Sequence, residues 1–595
     1  MDDKDLQYQI DKLINEINSL PKGSIAKKNI KGKDYYYLRI SENGKRTEKY
    51  IDFNEVELMR EKIKERKELE EKVKKLEGNI KNLKKEKKDR TEYNTYIRKG
   101  EELKRFVNSV KDLKKRECYS ELYNYIYSSI TDRVFILYGL RRTGKTTLIR
   151  QIISEMNDDF LNKTAFIQVS SKDTLAEVNK DLKRLEEKGY LYIFIDEVTL
   201  LEDFIEGAAV FSDIFASCGM KIVLSGTDSL GFMLSKSEQL YDRCMLLHTT
   251  FIPYREFELV LGKKGIDEYI RYGGTMSISG INYNENFVFN DKEKTNDYVN
   301  SAIARNIQHS LKYYNEGRHF RHLLELYEKN ELTNVINRVV EDINHRFTKE
   351  VITKKIRSSD LSISARNLRS DKNYSNTVLD DIDRELFESR LKQLLDILDV
   401  DEQKVSVEDK HAQEIKEYLL LLDLIFEIDV LSFPVIDEKI KRMVITQPGL
   451  RYAQAEALVK SLMLDQKIIN LSASERSFVI SRILGEIRGR MMEDIVLLET
   501  KIAKPKKEVF KLQFSVGEFD MVVFDSDEAQ CEIYEIKYSN QIVKEQYKHL
   551  IDEEKCKMTS FRFGNIKGKY VIYRGITQDV DGIHYVNVED YLKNL

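Results

Sequence analysis

The chain has no long apolar run. No stretch reaches the about 18 apolar residues that a membrane span needs, and the opening MDDKDLQYQI holds no apolar segment to serve as a signal peptide. Cysteine is scarce: Cys118, Cys218, Cys244, Cys531 and Cys556 are odd in number, widely spaced, and form no CxxC. That pattern excludes a disulfide frame or a zinc site and fits reduced thiols in a cytosol. A cytoplasmic location without a membrane partner is therefore expected. Tryptophan is absent and proline occurs only 5 times. With the abundance of Lys, Ile, Asn and Tyr, this reads as a compositional habit rather than a functional sign.

What is present is size and charge. At 595 residues, 41% of them hydrophobic, the chain exceeds a single core, and three or four domains are expected. Net charge is only −3, but it is uneven: residues 1–120 hold 33 basic and 24 acidic side chains, a net +9, and the remainder carries −12. A basic arm on an acidic body suits an anionic partner; a solvated helical face is the equal alternative.

Residues 1–52 read as a small β unit. GSIAKKNI, DYYYLRI and KRTEKYI are strand-like, and Asn43-Gly44 is a hairpin turn. Residues 53–117 read as a charged helical arm and connector. Leu69, Val73, Leu76, Ile80 and Leu83 alternate four and three apart as a short coiled-coil seam. Lys27, Lys28, Lys31, Lys33 and Arg39 interleave with Tyr35, Tyr36 and Tyr37. They suit either phosphate contact with stacking or a small tyrosine core. Residues 118–260 alternate apolar runs (VFILYG, TAFIQVS, LYIFIDE, KIVLSGT, CMLLHTT) with helical segments, as expected of buried parallel strands. Residues 261–330 and 331–482 read as mainly helical, with a polar loop at Ser358–Asn376 and mixed strand and helix after 430. Residues 483–595 read as a second, smaller α/β unit.

GLRRTGKTT, Gly139–Thr147, matches GxxxxGK[ST] between a strand and a helix. Gly139, Arg142, Thr143, Gly144 and Thr147 lie in the loop and first turn whose N–H groups face ATP phosphates. Lys145 is expected to reach the β and γ oxygens, and Thr146 to ligate Mg2+. YIFIDE ends a second strand, with Asp196 expected to hold Mg2+ and Glu197 to polarise the attacking water. Ser225 or Thr227, ending the next strand, is the candidate sensor in an AAA+ type sheet. Arg243 is the candidate arginine finger, in cis or in trans, with a solvated arginine as the alternative.

With these motifs, residues from about 110 to 595 resemble the prokaryotic AAA+/STAND-related P-loop ATPases that carry a C-terminal PD-(D/E)XK nuclease-like domain. GLRRTGKTTL resembles that group's arginine-bearing Walker A. YIRYGGTM, Tyr269–Met276, resembles its lid with paired glycines. KRMVITQPGLRYA, Lys441–Ala453, resembles the strand and turn before the nuclease-like domain, and GEIRGRMMEDIV, Gly485–Val496, resembles that domain's first helix. The resemblance implies a P-loop parallel sheet with a helical lid at 261–330, a helical region with a winged helix within 375–445, and a restriction-endonuclease-like α/β domain at 483–595. The chain departs from the pattern at PYREF, Pro253–Phe257, where the proline sits closer to Glu-Phe, and at Asp242, which replaces a glycine before Arg243. Residues 24–90 are similar to a hairpin-plus-helix module of bacterial proteins.

Within VGEFDMVVFDSDEAQCEIYEIK a hairpin would set Asp520 beside Glu535, with Lys537 on the face of Glu535. Two carboxylates for Mg2+ and a lysine to activate water form this D…ExK constellation. Glu493 is the candidate further acid, with Glu486 second. Three roles stay open for this centre: metal-dependent DNA cleavage, nucleic-acid binding without cleavage, or structure alone. The competing account of the whole chain is an ATP-driven signalling switch, or homo-oligomer, whose C-terminal domain only binds a partner.

Overall fold

The computed structural model describes residues 10–90 and 93–595, apart from 11, 15, 19, 31–32, 43–44, 202, 228–231, 233–239, 241, 276–291, 305–306, 309–310, 312–319, 330, 358–408, 435–439 and 463–472. The expected turn at Asn43-Gly44, the loop at Ser358–Asn376 and Met276 therefore lie outside the described residues. The chain divides into two compact units, Met1–Ile97 and Arg98–Leu595.

In the first unit, β1 (Ser24–Ile30), β2 (Lys33–Glu42) and β3 (Lys45–Ile51) form an antiparallel sheet. The helix Val56–Arg90 follows. One face of the sheet turns Ile25, Tyr36, Leu38, Ile40 and Ile51 onto Val56, Met59 and Ile63. The heptad-like seam finds its partner within the chain: Leu69, Val73 and Leu76 pack on Ile10, Leu13 and Ile17. Arg66 donates to the Ile17 and Leu20 carbonyls, each at 2.7 Å. The first half of the seam is thus an intramolecular helix contact rather than a dimer stripe; the side chains of Ile80 and Leu83 lie outside the described residues.

Between the units the chain passes through a three-residue strand, β4 (Tyr96–Arg98). In the second unit, β5 (Val134–Tyr138), β6 (Thr164–Gln168), β7 (Tyr192–Asp196), β8 (Lys221–Gly226) and β9 (Cys244–His248) run parallel in the order β6-β7-β8-β5-β9. The four central strands are buried almost residue by residue, because helices cover both faces. β8 lies between β5 and β7, so all three deliver their C-terminal ends to one edge.

Helices Lys292–Tyr298, Arg321–Glu328 and Leu332–Arg357 pack with Asp409–Leu421 around Ile303, Ile336, Tyr418 and Leu419. The last sheet has eight strands in the order β11-β10-β12-β13-β14-β15-β17-β16. They are β10 (Ile425–Ser432), β11 (Ile440–Ile445), β12 (Glu508–Gln513), β13 (Glu518–Asp525), β14 (Gln530–Lys537), β15 (Asn565–Tyr573), β16 (Gln578–Val580) and β17 (Ile583–Asn587). The long helix Ala473–Ala503 lies across it. The expected boundary at 483 is crossed by this sheet, since β10 pairs in parallel with β12. The helices Tyr254–Leu261 and Ile266–Tyr272 also share its core: Phe257, Tyr269 and Ile270 pack with Met491, Ile495 and Val588.

Candidate nucleotide site and candidate acidic site

The first site follows from backbone strain placed at three points after β5. Gly139 has φ 138°, Arg142 65° and Gly144 92°. A Cβ on Gly139 would lie 2.2 Å from the Thr249 carbonyl oxygen, so only glycine fits. Arg142 holds its left-handed turn at a cost of about 1 kcal/mol. Such turns make a concave nest of N–H groups at the start of the helix Lys145–Glu155. Thr143 Oγ1 donates to Leu140 O at 2.8 Å and meets Thr249 Oγ1 at 2.9 Å, which fixes the loop from beneath. Thr147 follows in the first helical turn, half-buried.

Lys145 is 6% exposed and donates to the carbonyls of Gly139 and Leu140, each at 2.8 Å. Burial lowers its pKa to about 8, against the pull of Glu197 and Asp196. Among the described residues it forms no ion pair, so its direct hydrogen bonds are to neutral carbonyls of its own loop. Thr146 Oγ1 donates to Asp196 Oδ2 at 2.9 Å, and Ser225 Oγ donates to the other oxygen, Oδ1. Asp196 is 2% exposed. Its carboxylate and the Thr146 hydroxyl are hard oxygen donors that fit a divalent cation. Glu197 sits at φ 57° and accepts from Thr227 Oγ1 at 3.3 Å. Burial raises its pKa, with Lys145 opposing. Both sensor candidates therefore touch the acidic pair.

Arg243 is placed otherwise. It precedes β9, and the register Val134↔Cys244 to Tyr138↔His248 puts it beside the start of β5, a strand length from Gly139. Its guanidinium pairs with Asp213 Oδ2 at 2.9 Å. This corrects the cis arginine-finger expectation: a residue at the N-terminal end of a parallel strand does not reach phosphates at the C-terminal ends. Asp242 adopts φ 57°, which explains why a glycine suits that position.

Two contacts around the loop were not expected. Arg116 is buried, donates to Glu256 Oε2 at 2.5 Å, to the Thr143 carbonyl at 2.7 Å and to the Phe251 carbonyl at 3.3 Å. The Glu of PYREF thus orients an arginine that grips the phosphate loop. Sequence offered no signal beyond that Glu-Phe pair. Secondly, the Arg142 guanidinium lies 5.7 Å from the Tyr298 ring, and the Tyr298 hydroxyl accepts from Gln447 Nε2 at 2.8 Å. Gln447 stands two residues after the end of β11 and packs so closely on Gly274 that a Cβ there would lie 2.5 Å from its Cα. The paired glycines of the lid segment and the TQPG turn therefore meet beside the phosphate loop.

The second site lies on the eight-stranded sheet. Met521 pairs with Tyr534, leaving Asp520 and Glu535 as neighbours on adjacent strands. Lys537 Nζ bridges them, 2.8 Å from Asp520 Oδ2 and 2.5 Å from Glu535 Oε2. Asp520 also accepts from the Ile536 amide at 2.8 Å. Lys511 of β12, which sequence reasoning missed, is 1% exposed and lies 2.8 Å from Glu518, 3.5 Å from Asp520 and 3.5 Å from Glu493. Despite the opposing cost of burial, Lys537 and Lys511 hold the Asp520 carboxyl below its usual range. Burial drives the Glu535 carboxyl well up, and its Oε1 is buried without a hydrogen-bond partner.

Glu493 is engaged by Arg490, by Lys511 and, at 3.9 Å, by Arg442. Among the described residues no group of three or more acidic, His or Cys side chains is arranged to hold a metal ion. The expected Asp520, Glu535, Glu493 ligand set is thus not assembled: Lys511 stands between Glu493 and Asp520. Asp520 and Glu535 alone, with the orphan Oε1, supply oxygens that a cation would take.

Residues 131–258 match the AAA domain family, and residues 3–61 match a family described as a domain of unknown function (DUF6788). The chain is similar to the uncharacterised protein MJ1544 of Methanocaldococcus jannaschii, 25% identical over 245 residues, 38% of this chain and 53% of that protein. It therefore spans about half the length of that curated relative. Among solved structures it is similar to the Aeropyrum pernix Orc1 protein in complex with DNA, 14% identical, covering 63% of this chain and 99% of that one at a TM-score of 0.23. It is also similar to Hsp104 with ATPγS and casein, 17% identical, covering 28% and 32% at a TM-score of 0.23. The AAA match coincides with the strands and loop described above. The chain carries a P-loop ATPase domain of the AAA type, the class that binds and hydrolyses ATP, typically with Mg2+. No helix among the described residues is long and apolar enough to cross a membrane.

Proposed function

We propose that this chain is an Mg2+-dependent ATPase whose nucleotide state controls a nuclease-like, DNA-interacting C-terminal domain. In this reading the amides from Gly139 to Thr147 cradle the triphosphate, and Lys145 exchanges its loop carbonyls for β and γ oxygens. Thr146 and Asp196 would hold Mg2+, which when bound supplies positive charge to the phosphates. Glu197 accepts the proton of the attacking water, and Ser225 or Thr227 links the γ position to the acidic pair. A role for Arg243 requires a neighbouring copy.

The observation that carries the control is the path from Arg142 through Tyr298 to Gln447. It starts in the phosphate loop and ends at the last residue before the helix Pro448–Leu462, two residues after the end of β11 of the eight-stranded sheet. Arg451 of that helix bonds Asp494 at 2.6 Å, next to Glu493. A triphosphate competing for Arg142 would release it from the Tyr298 ring and so act on this sheet edge. Hydrogen exchange tests this. An unhydrolysable ATP analogue is expected to change protection at 440–462 in wild type, and in Tyr298→Phe to bind normally with that change reduced. Unchanged exchange in wild type with analogue bound would overturn the coupling.

Cleavage is tested separately, with DNA, Mg2+ or Mn2+ and ATP. Loss of DNA by wild type and not by Asp520→Ala is expected; equal survival of DNA with both excludes this centre. The second reading, a switch whose C-terminal domain binds without cutting, is favoured by Lys511, whose ammonium occupies the space between Asp520 and Glu493. It predicts an ATP-dependent change of mass in light scattering with no nuclease activity.

A further inference from the structure

The sheet of the first unit has two unlike faces. Antiparallel register groups Lys27, Tyr36 and Ile51 in one row and Ile25, Leu38 and Lys49 in the next, on the face that meets the helix. The opposite face carries the rows Ala26, Tyr37, Tyr50 and Ser24, Arg39, Glu48, with Lys28 beside them on β1. The sequence left two roles open for these tyrosines. Register divides them: Tyr36 joins the apolar core, whereas Tyr37 and Tyr50 stand on the open face.

That face has a definite chemistry. Tyr37 and Tyr50 meet edge to face, with ring centres 5.8 Å apart, and Tyr50 is 54% exposed. Lys28 Nζ lies 5.0 Å from the Tyr37 ring centre. Lys28 and Arg39 both pair with Glu48, yet their side chains remain 46% and 42% exposed. Two aromatic rings are thus accompanied by two solvent-facing cations that share one carboxylate, and one of these cations lies over the Tyr37 ring. Their hydrogen bonds draw the Glu48 carboxyl below its usual pKa.

We infer that the open face of β1–β3 binds single-stranded nucleic acid, with bases stacking on Tyr50 and Tyr37 and phosphates displacing Glu48 from Lys28 and Arg39. The residues of this unit, 1–97, hold 25 basic and 20 acidic side chains, a net +5, which gives the same sign of field over a wider region. A strand with exposed bases satisfies both halves of the face, since every base offers a π surface and every linkage an anion. A paired duplex hides the bases and would use only the cations. This binding site is independent of the C-terminal domain, and its failure would leave the proposed ATPase coupling untouched.

Fluorescence anisotropy of full-length protein with a labelled oligo(dT) tests the assignment. Tyr50→Ala is expected to weaken binding between about fivefold and a hundredfold, while Tyr50→Phe, which keeps the ring, binds as wild type. Lys28→Ala with Arg39→Ala is expected to flatten the dependence of log K on log salt by about 1.4, two phosphates at ~0.7 each. Glu48→Gln removes the competing carboxylate and should tighten binding. All these side chains lie on the face away from Leu38 and Ile51, and unchanged far-UV dichroism verifies the fold. Wild-type affinity in Tyr50→Ala, equal competition by duplex DNA or by polyglutamate, or a loss seen in Lys537→Ala instead would each overturn the inference.

Discussion

Lys145 and Lys537 are both ammonium groups close to a pair of carboxylates, yet their surroundings are opposite: Lys145 is 6% exposed, whereas the Lys537 side chain is 32% exposed. Lys145 rests on two neutral carbonyls of its own loop, and its pKa falls to about 8. Lys537 lies directly against Asp520 and Glu535, and its pKa rises. The first arrangement sets a positive charge against neutral carbonyls beside a nest of amides, chemistry that suits an anion. The second is already neutralised, and Lys511 extends the neutralisation to Glu493 and Glu518. The contrast separates a lysine held by neutral carbonyls from lysines paired with carboxylates of the chain itself.

Four measurements break or sharpen that contrast. Asp520→Ala should have the largest effect, because it takes a carboxylate from the buried Lys511 and from Lys537. Urea unfolding is expected to show a loss of about 3–5 kcal/mol; an undisturbed midpoint would mean that the network does not carry the sheet. Lys145→Ala should leave stability nearly unchanged while turnover falls about 10²–10³-fold in a coupled ATPase assay. Near-normal turnover would remove the distinction between the two lysines.

The third concerns Glu499, whose carboxylate accepts from the Tyr254 amide at 2.9 Å and is pushed by burial to about 7. The folded value exceeds the ordinary 4.5, so the folded state binds the proton more tightly than the unfolded one. Stability from this group is intact below about 4.5 and is lost as pH rises towards about 7. Glu499→Gln should flatten the fall of Tm across that window, and an identical pH profile would dismiss the group. The smallest effect is expected from Arg243→Ala. Its half-exposed pair with Asp213 is worth under about 1 kcal/mol, and turnover at concentrations too low for self-association should match wild type.

The candidate nucleotide site is legible in the sequence because its signals are local. Five apolar runs each too short for a helix, two strained glycines and a lysine at fixed spacing need no knowledge of distant residues. The D…ExK hairpin was legible for the same reason: a turn at 526–529 and alternation bring Asp520 to Glu535. What escaped is long-range. Arg116 and Glu256 are 140 positions apart, and no periodicity links an isolated arginine to the Glu of PYREF. Lys511 sits between Phe510 and Leu512 in a strand whose alternation would equally turn a lysine to solvent; only the acids of other elements turn it inward. The seam at Leu69–Leu76 was recognisable as a helix contact, but heptad spacing alone does not say whose helix answers it.

The parallel pairing of β10 with β12 has a practical meaning for dissecting the chain. A C-terminal fragment started at 483 would retain six strands and bare the flank of β12, a row of unsatisfied amides and carbonyls that β10 otherwise occupies. Such a piece would seek another strand and clump. One started before Asp409 would keep the hairpin but still bare the core where Phe257, Tyr269 and Ile270 pack, so ligand measurements belong on a chain that keeps the helices from Tyr254 onward.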